Sequence, residues 1–113
     1  MYVYFATTKR LTRIGGSLSF IVPSNITRLL HITGNTVFYV YVEKDRIVYA
    51  LNPPGVKARK IKPRAQARFS SNTYYVLTVP KEYSIILGLS EGSLVVLKCY
   101  DRMLVLEPVK GAH

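Results

Sequence analysis

Lysine and arginine are the chemically active side chains that dominate this sequence. Its 113 residues contain 16 Lys and Arg against 6 Asp and Glu, which gives a formal net charge of +10. No acidic residue precedes Glu43, and none lies between Asp45 and Glu82. Clustered guanidinium and ammonium groups bind polyanions through their phosphates. A charge shell that served only solubility would intersperse both signs, so the segregation predicts a basic face.

Side chains suited to catalysis or metal binding are scarce. His31 and His113 are the only histidines, and Cys99 is the only cysteine. No His, Cys and carboxylate cluster has metal-ligand spacing, and no glycine-rich phosphate loop with a lysine occurs. A single cysteine excludes an internal disulfide, and within the apolar run 94–99 we expect it to be a buried small hydrophobe. The sequence predicts no catalytic residue, no metal and no cofactor, and a protein that is not an enzyme.

The elements that must position the basic residues occur twice in the chain. Two strand-like runs end in proline, and Pro80 lies 57 positions after Pro23. The same offset, applied without a gap, aligns apolar positions over about 40 residues, and it places Val48 on Val105. Chance matching is easy at 49% apolar content. The ungapped register and the shared proline nonetheless favour an internal repeat.

Each repeat is expected to fold as a strand, a short helix that begins after the proline, and a closing hairpin. The predicted strands are residues 18–22, 37–42, 46–51, 74–79, 94–100 and 103–107. The fold class is therefore mainly β with short helices. Residues 1–51 form the first unit, 52–65 a Pro/Gly-containing basic linker, and 66–113 the second unit. One unit buries too little to fold alone, so the two must share a core, within the chain or between chains.

The first unit resembles a known family. The stretch from Lys9 to Pro23 is similar to the opening of the SpoVT/AbrB (MazE-like) swapped-hairpin domain. In particular it resembles the variant found in archaeal members, which has a Gly-Gly-Ser-Leu start like the one at Gly15. The second unit matches through residues 79–82 and 87–89, and the two matches cover most of residues 9–51 and 66–108. The resemblance implies a β-barrel of interleaved hairpins around a pseudo-two-fold axis, with double-stranded DNA as the partner.

Two departures from the family pattern qualify these expectations. The second unit has Asn72-Thr73 where the first has Gly15-Gly16, so its loop is expected to differ. Antitoxins of the family carry a long acidic tail, but only residues 109–113 follow the closing hairpin of the second unit here. That favours a role other than toxin neutralisation. Because both units lie in one chain, it is expected to act as a pseudo-dimer or to associate further as a homodimer.

The resemblance assigns DNA contact to the first strand, the glycine loop and the helix start. The basic run from Lys57 to Arg68 adds an arm for the phosphate backbone, or alternatively a solvated connector. Charged residues beside acids at the hairpin tips, such as Lys44 and Arg102, are expected to face solvent away from DNA. The candidate DNA-binding residues are Lys9, Arg10, Arg13, Gly15, Gly16, Ser17, Arg28, Lys57, Arg59, Lys60, Lys62, Arg64, Arg68 and Lys81.

The expected function is sequence-preferring binding of double-stranded DNA, as a transcriptional regulator. The alternatives are binding of RNA or single strands, architectural nucleic-acid binding and, less favoured, an antitoxin. Tyrosines on strands would stack on single-stranded bases, although core or interface packing is the favoured interpretation for them. They are Tyr2, Tyr4, Tyr39, Tyr41 and Tyr49. No apolar run approaches the roughly 20 residues of a membrane span, so a cytoplasmic protein with no membrane partner is expected.

Overall fold

The computed structural model describes residues 3–67 and 73–109. Within them, ten strands and two short helices form a mainly β structure, which confirms the predicted fold class. The strands are β1 (Phe5–Arg10), β2 (Thr12–Ile14), β3 (Ser17–Ile21), β4 (Phe38–Glu43), β5 (Arg46–Ala50), β6 (Arg59–Ile61), β7 (Arg64–Ala67), β8 (Thr73–Thr78), β9 (Leu94–Tyr100) and β10 (Met103–Pro108). The helices are α1 (Ser24–Leu29) and α2 (Lys81–Leu87). Neither described helix is long enough to cross a membrane.

The strands form two antiparallel sheets. The large sheet has the order β1-β9-β10-β5-β4-β6, and the small sheet has the order β2-β3-β8-β7. In the described part of the chain both sheets are open, so the predicted closed barrel is not formed. The reason lies at Leu11 and Pro63, where the chain leaves the large sheet and enters the small one. Both residues are buried, and neither continues a ladder from one sheet into the other.

The pairing registers relate the two halves of the sequence. Phe20 of β3 lies opposite Leu77 of β8, and Val48 of β5 lies opposite Val105 of β10. In both pairs the residues are 57 positions apart. The strands that precede the central ones are called the first arm (β1 and β2) and the second arm (β6 and β7). In the large sheet the arms cross between halves, because β1 pairs with β9 and β6 pairs with β4. The centre of each sheet is therefore built from corresponding strands of the two halves.

The connections around the helices repeat at the same offset. Pro23 and Pro80 precede α1 and α2 with extended backbone, as expected for a residue that lacks the N–H and ends a strand. His31 and Gly88 follow the two helices with φ of 53° and 66°. This left-handed conformation suits Gly88 and is uncommon for a residue with a side chain such as His31.

A single main core lies between the large sheet and the layer formed by the small sheet and the helices. Tyr49 is fully buried at its centre, with edge-to-face ring contacts to Phe20 and Phe38 at centroid distances of 5.6 and 6.2 Å. The Tyr49 hydroxyl donates a hydrogen bond to the Thr78 carbonyl at 3.0 Å. Burial raises the pKa of Tyr49 above its ordinary value. Tyr49 is therefore a packing residue, and its ring is not accessible for stacking on a nucleic-acid base.

The side of the large sheet that faces away from this core is called the outer face. It has a small apolar cluster of its own, formed by Val48, Ala50 and Val105. Partly buried side chains of Tyr41 and Tyr100, together with Met103, pack against that cluster. The large sheet is thus apolar on both sides at its centre.

Cys99 lies in the main core with no exposed surface, and burial raises the pKa of its thiol from 9.0 to about 11. At pH 8 the thiolate fraction should be about 100-fold lower than in the unfolded chain, so we expect the native thiol to resist modification. Because the folded pKa is the higher one, the stability contributed by this group should be lost as the pH rises from about 9 to about 11. Reaction with a disulfide reagent, with and without denaturant, measures this. Native labelling as fast as in denaturant would contradict the burial.

Candidate nucleic-acid interface

A glycine turn joins the first two strands of the small sheet. Gly15 and Gly16, between β2 and β3, have φ of +61° and +84°. This left-handed conformation costs glycine little, but it strains a residue with a side chain. Both glycines are exposed, and a side chain at Gly16 would meet nothing within 4 Å. The sequence thus places a turn with accessible backbone at the surface, which a phosphate can approach closely.

Arg64 reaches this turn from the far edge of the small sheet. Its Nη2 donates a hydrogen bond to the Ile14 carbonyl at 3.3 Å, and its Nη1 lies 3.3 Å from the position of a Cβ on Gly15. Because β2 and β7 are opposite edges of a four-stranded sheet, this contact requires the sheet to curve strongly. The curvature brings a cation from the second half of the chain onto a turn in the first half.

Arg13 and Lys81 flank the same turn across a groove of about 480 Å³. The Arg13 guanidinium is exposed, and it lies 3.7 Å from a Glu91 carboxylate oxygen and 3.5 Å from the Gly16 carbonyl oxygen. Lys81, the first residue of α2, also lines the groove, as does Ser17. The residues that meet here, called the turn cluster, are Arg13, Gly15, Gly16, Ser17, Arg64 and Lys81.

Lys9 and Arg10 end the strand that leads towards the turn cluster. Arg10 is exposed and donates a hydrogen bond from Nη1 to the Gly92 carbonyl at 3.0 Å, next to the Glu91 that pairs with Arg13. Lys9 lies opposite Val95 on the core side of β1 and is half-buried. Arg10 therefore adds an exposed guanidinium group next to the turn cluster. Lys9 is only partly exposed.

Arg28 lies elsewhere. Its Nη2 donates to the Asn25 side chain at 2.6 Å, and it lines a separate shallow groove with Phe5 and Leu29. Phe5 begins β1 and Arg10 ends it, a separation of about 17 Å along a strand. The structure therefore does not bring Arg28 together with Arg10 and Arg13, although the resemblance had assigned all three to DNA contact.

The basic run after the proline-rich segment is partly strand. Arg59 on β6 forms an ion pair with Glu82 at 2.6 Å, and Lys60 lies opposite Tyr39 at the edge of the outer face. Lys57 and Lys62 are exposed and have no carboxylate partner among the described residues. Three earlier expectations fall on residues outside the described ranges, namely those for Tyr2, Arg68 and Asn72.

Two features of the site were absent from the sequence prediction. The first is the contact of Arg64 with the first glycine turn, which depends on sheet curvature and leaves no local signal. The second is Ile85, which lines the groove and is 70% exposed. The ungapped offset did place Ile85 at the position of Arg28, so an apolar residue there was visible. The sequence did not indicate that Ile85 would line the groove.

Comparison with family models, curated proteins and solved structures found no match for this chain. Among residues 3–67 and 73–109, no three His, Cys, Asp or Glu side chains are grouped closely enough to hold a metal ion. The geometry of the turn cluster is thus the basis for inferring a function.

Proposed function

We propose that this protein is a sequence-preferring double-stranded DNA-binding protein, a transcriptional regulator that acts in the cytoplasm. The observation that carries the proposal is the turn cluster, in which Arg13, Arg64 and Lys81 surround an exposed glycine turn. Long cations bind the phosphates, and the open turn lets the backbone approach the duplex. Arg10 and Arg13 have the guanidinium geometry that pairs with guanine edges in the major groove.

We further propose a swapped-hairpin AbrB-type scaffold with two internal repeats, in which the strands form two open sheets instead of a closed barrel. The pairing of residues 57 apart at the centre of both sheets supports it. The exchange of outer strands, β1 with β9 and β6 with β4, is the arrangement that a swapped pair of repeats would have. On this proposal one chain forms the two-fold unit that other members build as dimers.

The two repeats would contribute unequally to DNA reading. Arg13 lies opposite Leu18, and Ala65 lies opposite Tyr75. Because Leu18 and Tyr75 are 57 positions apart, Ala65 takes the place of Arg13 in the second arm. The second repeat instead supplies Arg64 to the turn of the first. A single asymmetric basic site follows, which is suited to an operator without two equal halves.

Single-strand or RNA binding is the alternative that the geometry favours less. Stacking needs exposed aromatic rings beside the basic residues. Tyr49 is in the core, and Tyr39 and Tyr41 lie on the outer face, whereas the turn cluster belongs to the small sheet and α2. Tyr39, Tyr41 and Tyr49 are thus separated from the cations of the turn cluster.

Fluorescence anisotropy with duplex DNA, single-stranded DNA and RNA of equal length tests the proposal. If 6–10 phosphates are neutralised, duplex affinity should fall by about 10³- to 10⁵-fold between 50 and 200 mM salt. Selection of bound sites from random duplexes should then enrich a defined sequence. A salt-independent signal, or preference for single strands over duplex, would count against the proposal. Duplex binding without enrichment would reduce it to architectural binding.

A further inference from the structure

Ile85 is an apolar side chain in the wall of a basic groove. It is 70% exposed, the largest exposed fraction among the large apolar side chains of residues 3–67 and 73–109. Lys81 lies four positions before it, so both side chains lie on one face of α2. Both line the groove of the turn cluster. Single exposed isoleucines are common on protein surfaces, so the role of this one must be inferred from what the groove brings next to it.

The groove combines apolar and cationic lining. Leu18 and Leu89 add apolar surface to it, whereas Arg13 and Lys81 add positive charge. None of the described residues that line it is a carboxylate, although Glu91 lies 3.7 Å from Arg13. An occupant that fits must therefore present anionic groups and a small apolar group close together. Duplex DNA does so, since the C5 methyl group of thymine projects into the major groove between the two phosphate backbones.

The fold of the helix does not account for an apolar residue at this position. Ile85 takes the place of Arg28 at the offset of 57. Arg28 is exposed on α1 and donates to the Asn25 side chain. The corresponding helix thus forms with a charged residue at the same place, so packing does not require isoleucine there. What distinguishes Ile85 is its groove, because Arg28 lines a separate one.

We propose that Ile85 is a specificity-determining residue that contacts the C5 methyl group of thymine in the major groove. The inference rests on the proposed function and names one base that the turn cluster reads. Of the four standard bases only thymine has a methyl group there, so an apolar contact discriminates it from the others. The cations bind phosphates and set the salt dependence, whereas Ile85 carries no charge and adds sequence preference alone.

Ile86 provides a matched control for this position. It is the next residue, has the same side chain and is 65% exposed, but it is not among the residues that line the groove. Ile85→Ala and Ile86→Ala therefore remove the same atoms from similarly exposed positions of one helix. Because both positions are at the surface, each variant should keep a thermal midpoint near that of the wild type. Circular dichroism measures this before binding is compared.

The test uses the duplex that the wild type selects from random sequences, and copies in which each thymine in turn is replaced by uracil. Uracil lacks only the methyl group. At one position or more, we expect the wild type and Ile86→Ala to bind the uracil duplex about fourfold more weakly, the value for one buried methyl group. Ile85→Ala should bind the thymine and uracil duplexes equally. Fluorescence anisotropy titrations give each dissociation constant.

The outcomes separate this inference from the proposed function. A wild type that binds its selected duplex without any uracil effect, or a uracil effect that persists in Ile85→Ala, overturns the inference and leaves the proposed function intact. If Ile85→Ala then weakens binding of both duplexes alike, insertion of the side chain between base steps replaces the methyl contact. A wild type that binds no duplex, or enriches no sequence, overturns both before any variant is compared.

Discussion

Replacing Arg13 and Arg64 together with alanine is expected to weaken duplex DNA binding by about 60-fold at 0.1 M salt. Each phosphate contact contributes about 0.9 to the slope of log affinity against log salt, so two lost contacts remove about 1.8 from that slope. The contacts are taken to contribute nothing at 1 M salt. A slope change of about 1.8 over the tenfold step down to 0.1 M therefore corresponds to the loss of about 60-fold in affinity. Anisotropy titrations at several salt concentrations measure both quantities, and they must agree if the contacts are to phosphates.

The matched control for this variant is Lys44→Ala with Arg102→Ala. It removes the same charge from the β4–β5 and β9–β10 turns, where Arg102 donates to the Asn52 side chain and neither residue lines the groove of the turn cluster. We expect the control to change duplex affinity by less than about threefold, since only the screened long-range field is altered. Equal losses in the two double variants would show that net charge, and not the turn cluster, drives binding.

Neither arginine of the test variant is expected to support the fold strongly. Arg13 and its partner Glu91 are more than half exposed, and ion pairs of this kind contribute from 0 to about 1 kcal/mol. The hydrogen bond of Arg64 is also at the surface. The thermal midpoint should therefore stay near that of the wild type. A large fall in this midpoint would mean that lost structure, and not lost contacts, explains weaker binding.

Phe20→Ala is expected to lower the free energy of unfolding by about 3–5 kcal/mol, the range for a buried phenylalanine. Phe20 is 1% exposed, lies opposite Leu77 at the centre of the small sheet and touches the ring of Tyr49. Its removal leaves a cavity where both halves of the chain meet. Urea denaturation of the variant and the wild type, analysed with the same dependence of free energy on urea concentration, gives the difference in the free energy of unfolding. A small domain rarely tolerates a loss of this size, so partial unfolding at 25 °C is expected.

Leu29→Ala provides the comparison for the core variant. Leu29 is 45% exposed on α1, and truncation at such a surface position usually changes stability by no more than about 0.5 kcal/mol. If Phe20→Ala cost less than about 1 kcal/mol, the shared core between the two sheets would not exist as described. A similar loss in both variants would contradict the exposure of Leu29.

The sequence alone was sufficient for the local elements. The six strands predicted from alternating and β-branched runs all occur, within one residue at most of their ends. Both helices begin after Pro23 and Pro80. These features depend on a few neighbouring residues, since side-chain periodicity and the missing N–H of proline act over one or two turns of chain. The basic residues of the first arm and the glycine turn were likewise readable from their types.

The sequence did not determine how the arms pair. Thr7 lies opposite Leu97, and Arg59 lies opposite Val40. Val40 and Leu97 keep the offset of 57, but Thr7 and Arg59 are 52 apart, so a single ungapped offset misplaces the second arm by five residues. The local patterns set no bounds for the four strands of the two arms, β1, β2, β6 and β7. Their partners are distant in sequence, and their register depends on where the buried residues Leu11 and Pro63 turn the chain.

Only the tertiary structure decided which cations form one site. The family resemblance had grouped Arg28 with Arg10 and Arg13. The length of β1 separates Arg28 from them, while the curvature of the small sheet brings Arg64 to the glycine turn from the other half. Charge type is a property of the residue, but the distance between charges is set by strand length and sheet curvature. Those quantities follow from packing across the whole core and leave no mark in a local pattern.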